Sequence, residues 1–81
     1  MTGQAKRILA HLLENPDKEI PAVTLNRIGS GKENGWCASF TRRISDIRKL
    51  GYNVVKCYDF MVDGQRHTGY KIRRVSILTN N

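Results

Sequence analysis

Residues 36–51 read WCASFTRRISDIRKLG, and the spacing of their apolar members decides how the rest of the chain is built. Wound at 3.6 residues per turn, Trp36, Phe40, Ile44, Ile47 and Leu50 fall along one side. Their three- and four-residue steps are those of a helix lying on a core. Ala38, Ser39, Arg42, Ser45, Asp46 and Lys49 collect on the opposite side. Gly51 offers the left-handed residue that ends a helix, and Arg48 and Lys49 sit against the negative end of its dipole. The pattern predicts one helix over 36–50, apolar beneath and small, polar and basic outward. Trp36, its largest apolar group, is read as the hinge between the glycine loop and the helix bed, and truncating it costs about 3–5 kcal/mol if it is buried.

Upstream, Thr2 can cap a first helix whose stripe is Ala5, Ile8, Leu9, Leu12 and Leu13. That helix must stop near Asn15, because Pro16 disfavours helical geometry in the residue before it. His11 falls off the stripe and faces solvent. Ile20 can add a brief strand. Pro21 suits the first turn of a short second helix over 21–28, with Val23, Leu25 and Ile28 as apolar contacts and Gly29 as its end. The polar loop GSGKENG comes next. It lacks the GxxxxGK[ST] spacing and the preceding strand of a nucleotide-binding loop, so it reads as an inter-helix turn.

Downstream of Gly51 the pattern turns extended. Tyr52 to Val62 is rich in Val, Tyr, Phe and Met, and Asp63-Gly64 is a two-residue hairpin turn. That turn pairs Val62 with Gln65, Cys57 with Tyr70 and Val55 with Ile72. Val55, Cys57, Tyr70 and Ile72 then cover the helices, while Lys56, Tyr58, Phe60, Lys71 and Arg73 look outward. A bulge near Gly69 would shift this register by one. Residues 1–74 read as one domain and 75–81 as a flexible tail, although Val75, Ile77 and Leu78 could dock or serve a partner chain.

With 81 residues there is room for one modest core and no deep cleft between lobes. The formal charge is +7 and it is uneven. Residues 1–35 hold five Lys or Arg against four acids, and residues 36–81 hold nine against three. The excess lies on the central helix and the hairpin and tail beyond it, which makes nucleic acid or an acidic surface the leading class of partner. Cys37 and Cys57 form no CxxC pair and stand at no ligand spacing to His11 or His67, so no metal or other cofactor is expected. Without a signal peptide or a long apolar run, the expected compartment is the cytoplasm, with no membrane partner. There is no Ser-His-acid set and no paired carboxylates, so neither catalysis nor a small-molecule substrate is expected.

Helix, short helix, long helix and two-stranded hairpin is the order of a winged helix-turn-helix, an α+β fold with a three-helix core and a C-terminal β-hairpin wing. The residues carry a closer likeness. The opening A-x-x-x-L-x-x-L-L, the segment F-T-R-R-I-S-D-I-R-K-L-G-Y-N-V and the hairpin's closing Y-K-I together resemble the small helix-turn-helix domains of phage and bacterial proteins. The likeness covers about residues 4–74. Its strongest part runs from Arg43-Ile44 to Gly51-Tyr52-x-Val54. Ile47 stands where leucine is usual, and a long glycine-rich loop precedes the third helix. The resemblance implies sequence-specific binding of double-stranded DNA, typically in a phage or mobile-element setting, by a regulator or architectural factor.

On that reading the first half of the central helix enters the major groove. Ser39, Arg42, Ser45 and Asp46 are the candidates for base edges, with Arg42 suited to a bidentate guanine contact. Asp46 can orient Arg42, accept from cytosine or reject wrong sequences, and the first is preferred. Thr41 flanks the helix toward phosphate. Arg43 either bridges to Asp46 or bonds a phosphate beside the wing. Lys32, Lys49, Lys56, Arg66, Lys71, Arg73 and Arg74 complete the pool for phosphate, with Arg66 near the hairpin tip suited to the minor groove. A module this small gains useful specificity as a homodimer or by cooperative assembly on DNA. The competing reading is a protein adaptor or inhibitor that covers an acidic host surface.

Overall fold

The computed structural model describes residues 2–32, 35–37 and 39–73. Its elements are α1 (Gly3–Glu14), β1 (Ile20–Pro21), α2 (Ala22–Ser30), α3 (Phe40–Lys49), β2 (Val54–Val62) and β3 (Gln65–Ile72). Among the described residues the fold is α+β, with three helices and one antiparallel sheet in the order β1-β3-β2. The boundary expected between a domain and a tail near residue 74 lies outside the described residues, as do Arg74, Val75, Ile77 and Leu78.

Helix α1 forms as its sequence requires. Thr2 caps it, its hydroxyl oxygen accepting from the Ala5 N–H at 3.2 Å. Ala5, Ile8, Leu9 and Leu12 are buried, whereas Leu13, at the edge of the stripe, is half exposed. The turn after Asn15 is held by the Asp17 N–H donating to Ile72 O at 2.9 Å, which ties the end of α1 to the end of β3.

Helix α2 runs further than expected. Gly29 lies inside it, and Gly31, at φ +74, is the residue that ends it. Gly29 is needed for a different reason: a Cβ there would stand 2.9 Å from Ile8 Cδ1. Its lack of a side chain lets α1 and α2 approach closely, and Arg7 Nε spans them by donating to Gly29 O at 2.9 Å. Of the expected contacts Leu25 is buried and Ile28 half-buried, but Val23 is exposed.

The central helix is shorter than its periodicity suggested, starting at Phe40 rather than Trp36 and ending at Lys49. Ser39 is left-handed at φ +56, which breaks the helical run. Before it the backbone is pinned by Asn26 of α2, whose Oδ1 accepts the Cys37 N–H. Cys37 Sγ also donates to Gln4 Oε1 at 3.3 Å. Cys37 therefore sits in the core at 1% exposure, and Trp36, one residue earlier, is turned out at 68%. The expected cost of truncating a buried Trp36 falls away with this. Ile44 and Ile47 are fully buried, and Phe40 packs edge-on to Tyr70 with ring centroids 5.8 Å apart. Leu50 comes after the last helical turn and is 58% exposed. Gly51 does end the helix, at φ +102, with its N–H on Arg48 O at 2.9 Å.

The hairpin turns at Asp63-Gly64, both left-handed at φ +48 and +78, as a tight two-residue turn demands. Val62 pairs with Gln65 as expected. Between Lys56 and Tyr58 the register slips, so Tyr58 faces Gly69, Lys56 faces Tyr70 and Val54 faces Ile72. The bulge moves the buried set to Val54, Tyr70 and Ile72, joined by Ile20 from β1. Val55 and Cys57, expected in the core, are half-buried, and Lys56 shares the face of Tyr70 instead of looking away from it.

Candidate nucleic-acid interface

The side of α3 away from Ile44 and Ile47 presents Thr41, Arg42 and Lys49 to solvent, with Ser45 half-buried beside them. Arg42, Arg43, Asp46, Lys49 and Leu50 join Thr2, at the start of α1, around an open concavity of about 500 Å³. The amino end of α1 thus adjoins the outer side of α3, a neighbour that spacing in the sequence could not reveal. Ser39 is exposed, but its carbonyl is used within the fold, accepting from the N–H groups of Arg42 and Arg43.

Arg43 and Asp46 are engaged with each other. Arg43 Nη1 donates to Asp46 Oδ2 at 3.1 Å across one helical turn. The Arg43 side chain is 18% exposed, and its Nε is buried with no hydrogen-bond partner among the described residues. The preferred role for Asp46, orienting Arg42, is therefore corrected: its carboxylate holds Arg43, which at three residues' separation also lies within reach.

The remaining cations are dispersed. Lys32 is exposed in the loop after α2. Lys56 Nζ and Arg66 Nε converge on the Asp59 carboxylate at 3.5 and 3.1 Å, so the hairpin neutralises part of its own charge. Asp59 had no role in the sequence reading, yet the register fixed by Asp63-Gly64 already set it opposite Thr68, diagonal to Arg66. Lys71 is half-buried on the face of the sheet opposite Tyr70, and Arg73 is exposed at the foot of the hairpin. Arg48 Nε donates to Val54 O at 2.8 Å, joining the end of α3 to the start of β2.

Burial pushes the Cys37 thiol up from its ordinary value, with the charges of Arg43 and Arg7 partly opposing it. Burial likewise raises Cys57, helped by the charge of Glu19. Among the described residues no three His, Cys, Asp or Glu side chains gather as metal ligands, and no helix is long and apolar enough to cross a membrane. Comparison with protein-family models, curated proteins and solved structures returns no match.

Proposed function

We propose that this chain is a small cytoplasmic protein that binds double-stranded DNA as a winged helix, with α3 in the major groove and the β2–β3 hairpin as its wing. The observation that carries the reading is the split character of α3. Ile44 and Ile47 are wholly buried, while Thr41, Arg42 and Lys49 stand open to water beside the amino end of α1. A major groove accepts one helix, and an exposed arginine on it can meet guanine bidentately. The element order, with β1 laid against β3, is compatible with a winged helix. The nine residues between α2 and α3 exceed the usual three- or four-residue turn, so α3 is set by its packing rather than by a tight corner. Base reading is assigned to Arg42 and Ser45, with Thr41, Lys49 and Lys32 on phosphate, and Arg66, Lys71 and Arg73 as wing contacts. Selection of bound sites from a random duplex pool tests this. A defined motif, lost at one position in Arg42→Ala, is the expected result, and no enrichment would overturn it.

A second reading, an adaptor for a protein surface, is favoured by Met61 and Val62, apolar and exposed beside the hairpin turn. Salt separates the two. DNA binding falls steeply with ionic strength, and an apolar protein contact survives it.

A further inference from the structure

Strand β1 is two residues long and covers only Tyr70 and Gly69 of β3, because Ala22 already begins α2. Beyond it a groove of about 680 Å³ opens between Pro21, Ala22, Val23, Asn26 and Trp36 on one side and Tyr58 and residues 65–68 on the other. That size is in the range of small-ligand sites. Three of its lining residues, Trp36, Tyr58 and His67, carry aromatic rings. Trp36 presents most of its indole to solvent, and Tyr58 lies so close over Gly69 that a Cβ there would stand 2.1 Å from its ring. On the hairpin, Phe60 lies 5.5 Å from Tyr58 and stacks on His67 at 5.3 Å, with the planes 23° apart.

The groove also holds one unused donor. Asn26 is only 5% exposed, and its Oδ1 is fixed as acceptor for the Cys37 N–H. The other amide atom, Nδ2, is therefore a donor by assignment, and it meets no acceptor among the described residues. An amide donor on a largely buried side chain at this groove suits a flat ring that carries an acceptor on its edge. His67 and Arg66, the latter ion-paired to Asp59, stand at the rim on a chain of net charge +7, which suits the sugar–phosphate chain that carries such a ring. We propose that this groove binds an unpaired nucleobase of single-stranded DNA, stacked between Trp36 and the Tyr58–His67 wall, with its edge on Asn26 Nδ2. Stacking of this kind tolerates any base, since every base has a π-face. The site is separate from the outer face of α3 and does not depend on α3 entering a groove. Trp36 lies only three residues before Ser39, so a strand leaving a duplex near the start of α3 passes close to it.

Trp36 is the only tryptophan, so its emission reports the groove directly. Titration with oligothymidylate of roughly 12 nucleotides is expected to quench that emission strongly, and a blunt duplex of equal length to quench it weakly. Trp36→Leu and His67→Ala, both at exposed positions, should each weaken capture of labelled oligothymidylate by about tenfold and leave duplex binding unchanged. Unquenched emission, or wild-type capture by Trp36→Leu, overturns the inference. Emission that blue-shifts with protein concentration in the absence of DNA also overturns it, because the groove is then buried against a second copy. Anisotropy of a labelled blunt duplex, which does not use Trp36 emission, reads the double-strand proposal independently of all these outcomes.

Discussion

The side-chain oxygen of Asn26 accepts the backbone N–H of Cys37, a bond between two residues eleven apart that decides which of two neighbours enters the core. Cys37 goes in and Trp36 goes out. Asn26→Ala removes the acceptor that the buried Cys37 N–H uses and is expected to cost about 1–3 kcal/mol. Trp36→Ala should change stability by less than about 1 kcal/mol. Denaturant midpoints of the two variants check the pair. A larger loss at Trp36 than at Asn26 would reverse the assignment.

Gly69 sits under the Tyr58 ring with no room for a side chain. Gly69→Ala must push that ring away or shift the strand, at about 1–3 kcal/mol by analogy with overpacking. Tyr58→Ala in the same background should recover part of the loss, since it removes the obstructing ring. A double-mutant cycle in denaturant measures that coupling.

Arg42 and Lys49 share the exposed side of α3 but are given different work. Arg42→Ala is expected to lose about 1–3 kcal/mol of discrimination at one base position. Lys49→Ala should weaken all sequences alike and reduce the salt slope by about 1. Fluorescence anisotropy over a series of salt concentrations distinguishes them.

Asp59 draws Lys56 and Arg66 toward itself. Asp59→Asn releases both cations, so affinity for duplex should rise severalfold at low salt with a steeper salt dependence. Stability should hardly change, because exposed ion pairs of this kind contribute about 0–1 kcal/mol. Unchanged affinity would remove the hairpin from the DNA-contacting surface.

The two thiols set an alkaline limit. Both are raised in the folded chain above their ordinary value of 9.0. Below that pH the thiols are protonated in both folded and unfolded chains, and their contribution to stability is intact. As pH climbs past it the unfolded chain ionises first, so stability declines until the folded-state values are reached. Denaturant midpoints should therefore be flat from neutral pH to about 9 and fall above it. Cys37→Ala should flatten that fall.

Much of the architecture is written in residues that act locally. Thr2 caps α1, Pro16 closes it, Gly51 ends α3 and Asp63-Gly64 turns the hairpin, each through a conformation its own side chain favours. The features that sequence spacing misplaces depend on partners distant along the chain. The stripe from Trp36 to Leu50 is a sound helical pattern, but Asn26 captures the backbone at Cys37, and the left-handed Ser39 restarts the chain as a shorter helix. Alternation in β2 likewise misplaces Val55 and Cys57, because the bulge at Cys57 inserts one residue where Tyr58 must clear Gly69. At the candidate interface the exposure of Arg42 was legible from helical angle alone. The Arg43–Asp46 bridge was one of the two roles open to Arg43, but spacing did not choose it over Arg42, which also lies within reach of that carboxylate.

The Arg48 side chain, bonded to the carbonyl of Val54, works as a clasp between rod and ribbon. With that clasp shut, whatever molecule seats α3 also dictates where the hairpin lands. Under the proposed duplex binding, freeing the clasp with Arg48→Ala would loosen the distance between the two contacts and weaken discrimination by spacing.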